Sequence, residues 1–458
     1  MNDNAINNEN TLRMGTKPML PLIIEMSLPS MFSMLVQALY NIVDSIFVSR
    51  LGEYALSAVS LVYPIQLINI SVGVGASIGL SSLISRRLGA KDLEAAQNAA
   101  EHGLFLALCH WILFLLFGFF GSRPFAMAFS DNPTLIEPAV TYCSIVCIGS
   151  LFALCSSSME KIMQAGGNMI APMWCMLSGA VTNIILDPIM IFGYFGFPAL
   201  GVAGAAIATV TGQAVCFLIA NIFMRRLDLP VKVKYGRFAL SGRTIKDIYQ
   251  VGLPSMVMQS IGSVMTICLN AILIGFSEAA VAVLGVYFKL QSFVFMPVFG
   301  MNHGLMPIMG YNYGARNRRR LMQAYKIGMI LALCIMIVGL VIFQTIPDKL
   351  MALFKAEGDL LNVGMKALRT ISLCFPFAAI GIITGTLFQA TGRGIYSLFT
   401  SLLRQLVIIV PAAYILSKAI GVMGVWYAFP LAEGFSLLFQ MLMLRRLWRT
   451  DLSKIPVE

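Results

Sequence analysis

The sequence predicts an all-α polytopic membrane protein with twelve transmembrane helices in two six-helix lobes. Three observations lead to this fold class: the composition, the distribution of basic residues and an internal repeat. Of the 458 residues, 58% are hydrophobic and only 12% are charged. An ordinary soluble domain has about twice that charged share. The apolar residues come in runs of ~20, the length at which an α-helix crosses a bilayer.

Charged residues, glycines and prolines divide the chain into twelve apolar spans. The polar start, MNDNAINNENTLRMGTKP, lacks the charged region, short apolar core and cleavage site of a secretory signal. The first span is therefore predicted to be a retained membrane helix. The spans are expected near residues 20–48, 56–82, 96–121, 134–157, 169–193, 201–224, 246–275, 280–305, 320–346, 359–384, 395–418 and 422–446.

The basic residues between the spans fall mostly on one side. The gaps on the side of both termini carry 22 of them, and the opposite gaps carry 5. The positive-inside rule then predicts a multi-pass protein of the plasma (cytoplasmic) membrane, with both termini in the cytoplasm. Membrane topology accounts for the net charge of +11, and no nucleic-acid partner is expected.

Five short motifs recur along the chain. The pairs MSLPSM and VGLPSM, RRLGAKD and YNYGARN, and MQAGGN and FQATGR are each 225 residues apart, and GVAG with GVMG and MRRL with LRRL are 220 apart. Such regular recurrence indicates a duplicated six-helix unit. The two copies would share one orientation, related by a pseudo-two-fold axis along the membrane normal, with a cavity between them. The predicted parts are a cytoplasmic N-terminal segment (1–19), an N-lobe (20–227), a cytoplasmic linker (228–245), a C-lobe (246–447) and a cytoplasmic tail (448–458).

Two aspartates lie deep inside apolar spans. Asp187 follows Asn183 by four residues on the fifth span, and Asp44 lies on a polar face of the first span with Gln37, Tyr40 and Asn41. An aspartate at the centre of a membrane helix costs ~2.5–3.5 kcal/mol, so such residues usually face a bundle interior and mark ion or substrate paths.

Two carboxylates in one lobe suit cation coupling. If they are close together in a low dielectric, they resist ionising together, and one can hold a proton. With amide and hydroxyl oxygens beside them, Asp44, Asn183 and Asp187 could instead bind Na⁺. The sequence leaves both ions open.

Other polar residues in the spans are candidates for the wall of the cavity. Glu160 could meet a cationic substrate, or it could be an interfacial residue beside Lys161. Gln259 shares a helix face with serines. Arg404 could line the cavity or form a buried ion pair with Glu433.

Two prolines occupy equivalent positions in the copies. Pro29 and Pro254 each lie inside or just entering a helix. A proline inside a helix kinks it and frees a carbonyl, which a gated helix could use, whereas a proline at a helix start does neither.

Together these residues resemble the multidrug and toxic compound extrusion (MATE) transporters of bacterial type. The resemblance rests on Pro29 and Asp44 in the first span, SRRLGAKD after the second, QAGGN before the fifth, NIILDP within it and GVAGAAIAT opening the sixth. It implies two lobes around a V-shaped cavity and export of small organic cations by H⁺ or Na⁺ antiport. A monomer in the lipid bilayer, without a cofactor, is expected. By position, the resemblance implies a cation site of Asp44, Tyr142, Asn183, Asp187 and Thr209.

Two other classes of function remain as alternatives. A related flippase for lipid-linked precursors would use basic residues in the cavity for phosphate, and Lys289 and Arg404 fit that role. An intramembrane aspartyl protease would need G-x-G-D before one aspartate, whereas Asp187 follows IIL. The chain is therefore not expected to be an enzyme.

Overall fold

The structure is a computed structural model that describes residues 9–51, 53–233, 238–354 and 356–456. Side chains at positions 41, 42, 44–46, 48, 49, 53, 54 and 56 lie outside the described part. Throughout the described residues, the regular elements are helices. They are α1 (Glu9–Thr16), α2 (Met19–Ser49), α3 (Glu53–Gly89), α4 (Leu93–Leu116), α5 (Ser122–Met127), α6 (Pro133–Ala165), α7 (Ile170–Phe192), α8 (Val202–Arg226), α9 (Gly242–Leu273), α10 (Glu278–Gly314), α11 (Arg318–Thr345), α12 (Pro347–Ala352), α13 (Gly358–Ser372), α14 (Phe375–Ala390), α15 (Gly394–Leu402), α16 (Ile409–Ile420) and α17 (Val422–Thr450).

The predicted all-α polytopic fold class is confirmed. Among the described residues, eleven helices are long and apolar enough to cross a membrane, and the pair α13 and α14, bent by 48° at its break, makes twelve when it is counted as one span. Two spans pass through π-helical turns that the sequence does not predict: Phe117–Gly121 between α4 and α5, and Leu403–Ile408 between α15 and α16. Such turns are often found at functional sites.

The N-terminal segment contains a docked helix that the sequence does not predict. A helix of eight residues such as α1 is too short to persist alone and needs tertiary contacts. Met14 of α1 is fully buried, and its carbonyl accepts hydrogen bonds from Asn312 (3.1 Å) and Arg320 (3.2 Å). Arg318 binds the carbonyl of Ser453 nearby (3.2 Å). Both ends of the described chain therefore lie at one end of the bundle, here called the terminal face. The opposite end of the bundle is called the open face.

The repeated motifs fold into matching turns. Lys91 and Arg316 both have positive φ, 59° and 55°, and lie 225 residues apart. The next residues, Asp92 and Asn317, both cap a helix by accepting a hydrogen bond from the backbone N–H three residues on (3.1 and 2.9 Å). The RRLGAKD and YNYGARN motifs thus encode one turn twice.

Contacts between the first half (α1–α8) and the second half (α9–α17) are reciprocal. A Cβ on Gly89 would lie 1.9 Å from the carbonyl oxygen of Tyr311, and a Cβ on Gly314 would lie 2.0 Å from that of Arg86. Gly314 is the copy of Gly89, and Tyr311 is the copy of Arg86, both at the offset of 225. The same contact is therefore made twice, once in each direction between the halves. Reciprocal contacts of this kind follow from a two-fold relation, so the predicted pseudo-two-fold axis is borne out. The residue limits of the lobes stay a prediction.

The stretch GASIG at 75–79 has the G-x-S-x-G spacing of serine hydrolases, a motif that needs a turn from a strand into a helix. Here the stretch lies inside α3. Its glycines permit close packing, because a Cβ on Gly75 would meet Met256 at 2.4 Å and one on Gly79 would meet the carbonyl oxygen of Ile248 at 2.2 Å. The glycines therefore serve the contact between α3 and α9.

The described contacts between the halves lie toward the terminal face. They reach as far as the hydrogen bond between Ser260 and Ser71 (3.3 Å). Nearer the open face, two stripes of side chains on the faces directed at the other half are exposed. They are Ser57, Ser60, Pro64 and Ile68 on α3, and Ala282, Gly285, Lys289 and Phe293 on α10. The stripes are copies of each other at the offset of 225, and they line a cleft that opens away from the terminal face.

Candidate functional site

The best-defined polar group inside the first half is on α7. Asp187 is fully buried and Asn183, one helical turn before it, is 2% exposed. In the orientation of the Asn183 amide that satisfies both of its ends, the nitrogen donates to Asp187 Oδ2 (2.9 Å) and the oxygen accepts from the backbone N–H of Thr209 (3.1 Å). The amide thus connects the carboxylate to the backbone of α8.

Small residues let α7 and α8 approach closely enough for this connection. A Cβ on Gly179 would lie 2.9 Å from the carbonyl oxygen of Gly212, and a Cβ on Gly212 would lie 2.7 Å from that of Gly179. The two backbones touch one turn away from Asn183. This contact brings the N–H of Thr209 within reach of a side chain on α7.

Tyr142 of α6 packs beside the same parts of α7 and α8. It is 4% exposed, and its hydroxyl accepts a hydrogen bond from Gln66 Nε2 of α3 (2.8 Å). It belongs to one apolar cluster with Ile191 and Ala205, which lie one turn from Asp187 and Thr209. Gln66 is not predicted as a site residue. The available signal was an amide inside the apolar run VYPIQLINI.

The first span supplies the other predicted site residues. The backbone of α2 is continuous and packs against α7 and α10. Gln37 and Tyr40 are half-buried. The side chains of Asn41 and Asp44 lie outside the described residues, so their part in the site stays a prediction. Among the side chains that are described, no three His, Cys, Asp or Glu residues form a group able to hold a metal ion.

The second half contains an ion pair. Arg404 Nη1 lies 2.8 Å from Glu433 Oε1, with side-chain exposures of 24% and 11%. The ion pair that the sequence predicts as one reading of Arg404 is confirmed. Arg404 lies in the π-helical turn and Glu433 on α17, so the pair joins two spans and neutralises both charges.

The remaining cavity candidates lie in different surroundings. Glu160 is half-buried near the terminal end of α6 and accepts a hydrogen bond from Cys216 Sγ of α8 (3.2 Å). Its neighbour Lys161 donates to Gln164 (2.7 Å). Gln259 is exposed on α9. Their contact with substrate stays a prediction.

Both prolines lie inside continuous helices, Pro29 in α2 and Pro254 in α9, so the interpretation as helix starts is wrong. A proline leaves the carbonyl four residues earlier without its helical donor. For Pro254 that carbonyl belongs to Gln250, and a Cβ on Gly394 would lie 3.2 Å from its oxygen. The freed carbonyl therefore faces the start of α15.

Up to twelve spans in two pseudo-symmetric halves, with a buried carboxylate in one half and a cleft between them, are typical of membrane transporters. The profile of the family described as MatE matches residues 29–189 and 254–415, two segments whose starts differ by the repeat offset of 225. These segments cover more than half of the chain. The chain therefore belongs to the MatE family and is a multi-pass membrane transporter.

Individual relatives agree over nearly the whole chain. The "Multidrug export protein MepA" of Staphylococcus saprophyticus subsp. saprophyticus is 26% identical over 422 residues, which are 92% of each chain. A solved structure of the outward-facing conformation of a multidrug resistance MATE family transporter of the MOP superfamily is 29% identical, with a TM-score of 0.89 over 97% of this chain and 99% of that one. A MOP superfamily transporter from Pyrococcus furiosus Vc1, reported with reversed polarity of its binding pocket, is 28% identical, with a TM-score of 0.89 over 97% and 98%.

Proposed function

We propose that this chain is a multidrug efflux transporter that exports organic, mostly cationic and lipophilic compounds in exchange for H⁺ or Na⁺. The observation that carries the proposal is Asp187, a fully buried carboxylate bound by a neutral amide inside a membrane span. A charge in such a place is costly, and binding a cation offsets the cost. The carboxylate can therefore alternate between an empty and an occupied state as the transporter cycles.

Of the two ions, we propose H⁺. Hard cations prefer several oxygen ligands. The amide oxygen of Asn183 is occupied by the N–H of Thr209, and its NH₂ group points at Asp187. Asn183 therefore offers no oxygen to a metal ion beside the carboxylate, whereas a proton on the other carboxylate oxygen needs no further ligand and leaves this arrangement intact.

The cleft supports a lipophilic cargo. Exposed apolar side chains line it, including Ile68 on α3 and Phe293 on α10, which are 49% and 44% exposed. Apolar walls with a few placed charges are typical of small-molecule sites. The relatives that are named multidrug export proteins support the same cargo class.

We also propose that the terminal face is cytoplasmic and that the chain lies in the plasma membrane. The 22-to-5 distribution of basic residues supports this orientation. With Cys334 replaced by serine, Asn317→Cys should react with an impermeant maleimide only from the cytoplasm, and Ser130→Cys only from outside. Labelling of Asn317→Cys from outside would contradict the orientation.

The experiment that tests the function is dye efflux from proteoliposomes of purified protein. A pH gradient without Na⁺ and a Na⁺ gradient at equal pH are imposed separately, with a lipophilic cationic dye as cargo. The pH gradient should drive transport and the Na⁺ gradient should not. Transport under the Na⁺ gradient alone would replace H⁺ by Na⁺, and no transport under either would overturn cation-coupled export.

The flippase alternative depends on basic residues in the cleft. Arg404 is neutralised by Glu433, which leaves Lys289 as the exposed candidate from the predicted pair. Faster transport of a lipid-linked pyrophosphate than of the dye in the same proteoliposomes would favour the flippase.

A further inference from the structure

Lys289 lies on the face of α10 that is directed at the first half. It is exposed, and its stripe continues into Gly300 and Gly304. A Cβ on Gly300 would lie 2.5 Å from the Cα of Met31, and one on Gly304 would lie 2.9 Å from the carbonyl of Met26, both on α2. Because eleven residues are close to three helical turns, Lys289 points in nearly the same direction as Gly300.

A second residue, His303, shows that this side of α10 faces the first half and not the lipid. His303 lies fourteen residues after Lys289, close to four turns, so it shares the same side of α10. His303 lies near Lys161 of α6, a helix of the first half that α10 contacts. Lys289 therefore faces the space between the halves and not the surrounding lipid.

The depth of Lys289 follows from the helix register. α10 and α2 run antiparallel, and Gly300 lies against Met31. Moving eleven residues toward the open face, about 16 Å along each axis, leads from Gly300 to Lys289 and from Met31 to position 42. Lys289 is therefore level with the stretch of α2 that contains Asp44.

The spans of the two halves that flank the cleft carry charges of opposite sign in the sequence. In the first half, the part of α2 from Met31 to Ser49 has one charged residue, Asp44. The helix α7 also has one, Asp187. In α10 after Glu278, Lys289 is the only lysine, arginine or acid. Asp187 is fully buried, so an occupant of the cleft meets the ammonium group of Lys289 directly and the negative charge of Asp187 only across the intervening protein.

The fold does not require a charge at this position. The copy of Lys289 in the first half is Pro64, which is exposed in the matching stripe of α3. The ammonium of Lys289 lies 5.9 Å from the ring centroid of Phe354, at the outer limit of a cation–π contact. Such a contact is weak, so an anionic group can replace it.

We propose that Lys289 is a specificity-determining residue that selects cargo bearing a carboxylate in addition to its cationic centre. The proposal rests on the proposed export of organic cations. A zwitterionic cargo would place its cationic centre toward the first half and its carboxylate at Lys289, where a charge-assisted hydrogen bond forms. A cargo without the carboxylate meets only the repulsion of the ammonium group.

The test uses two dyes that differ by one methyl ester: rhodamine 110, a zwitterion with a free carboxylate, and rhodamine 123, its cationic methyl ester. Fluorescence polarisation of the purified full chain gives a Kd for each dye, and the ratio of the two values reports recognition of the carboxylate. Lys289→Gln should reduce the preference for rhodamine 110 about tenfold, and Lys289→Glu should reverse it. Lys418→Gln is the matched control, because the Lys418 ammonium stacks on Tyr414 at 4.2 Å; it should leave the ratio unchanged.

The absolute Kd for rhodamine 123 tests whether the protein binds an organic cation, as the proposed function requires. The ratio of the two Kd values tests whether Lys289 recognises the carboxylate. Unchanged ratios in both Lys289 variants, or a wild type that binds rhodamine 123 but not rhodamine 110, would overturn the role of Lys289 alone. A wild type that binds neither dye would overturn both proposals. Loss of monodispersity in Lys289→Glu leaves the decision to Lys289→Gln, which removes the charge and keeps a polar side chain.

Discussion

The fifth span of the first half and its copy in the second half each bind a carboxylate, but they use different donors. In the first half, the neutral amide of Asn183 binds Asp187 and connects it to α8. In the second half, the guanidinium of Arg404 binds Glu433. A neutral donor leaves the charge of the site free to change when a cation binds, whereas a fixed guanidinium cancels it. We therefore propose that coupling belongs to the first half, whereas the ion pair of the second half holds two spans together.

The copies differ most where the backbones touch. Position 404 is the copy of position 179 at the offset of 225, so Arg404 replaces Gly179, which in the first half lies against Gly212. A guanidinium needs room that a helix–helix contact through glycine does not leave. The π-helical turn Leu403–Ile408 widens the helix at this place.

Substituting the first-half carboxylate should have the largest effect. Asp187→Asn is nearly isosteric and removes a costly buried charge, so the protein should stay folded and monodisperse. Export driven by a pH gradient should fall by more than about 100-fold, because a coupling free energy of a few kcal/mol is lost. Asp131→Asn, which neutralises an exposed acid near the open face, is the control and should export normally. Wild-type rates in Asp187→Asn would make the carboxylate structural and remove the contrast between the halves.

Breaking the second-half ion pair should have a smaller effect on export and a larger one on stability. Removing one partner of a buried pair leaves an uncompensated charge, and because Arg404 retains 24% exposure we expect a loss of about 2 kcal/mol. Arg404→Gln and Glu433→Gln should each lower the thermal unfolding midpoint in detergent, and the double variant should recover most of the loss. Export by the double variant should stay within tenfold of wild type. A double variant as inactive as Asp187→Asn would place coupling in both halves.

Much of the fold could be predicted from local patterns. Runs of apolar residues give the spans, and motifs at offsets of 225 and 220 give the repeat. The docked helix α1 could not be predicted in this way, because its stability comes from contacts to Asn312 and Arg320, about 300 residues away. The break between α13 and α14 was also not predicted, although Pro376 marks the start of α14 within the apolar run ISLCFPFAAI.

The site was partly predictable for a related reason. Buried charges such as Asp187 are visible in a sequence because hydrocarbon makes them costly. A sequence does not show which side chains of different helices form hydrogen bonds, so Gln66 was not predicted as the partner of Tyr142. The role of Thr209 could not be predicted either. Its sequence identity suggests a hydroxyl ligand, whereas in the structure its backbone N–H donates to the Asn183 amide oxygen.

The smallest predicted effect concerns that N–H. When the Asn183 amide is oriented to satisfy both ends, its oxygen accepts from the backbone of Thr209 (3.1 Å), and the hydroxyl is dispensable. In the opposite orientation, Asn183 Nδ2 would donate to Thr209 Oγ1 at 3.4 Å, a long hydrogen bond. Thr209→Val removes the hydroxyl, keeps the shape and the N–H, and should change export by less than about twofold. Asn183→Leu removes the amide itself and should approach the defect of Asp187→Asn. Both are measured by dye efflux under a pH gradient; a Thr209→Val defect as large as that of Asn183→Leu would mean that the hydroxyl oxygen faces the coupling ion, as an oxygen-rich Na⁺ site requires.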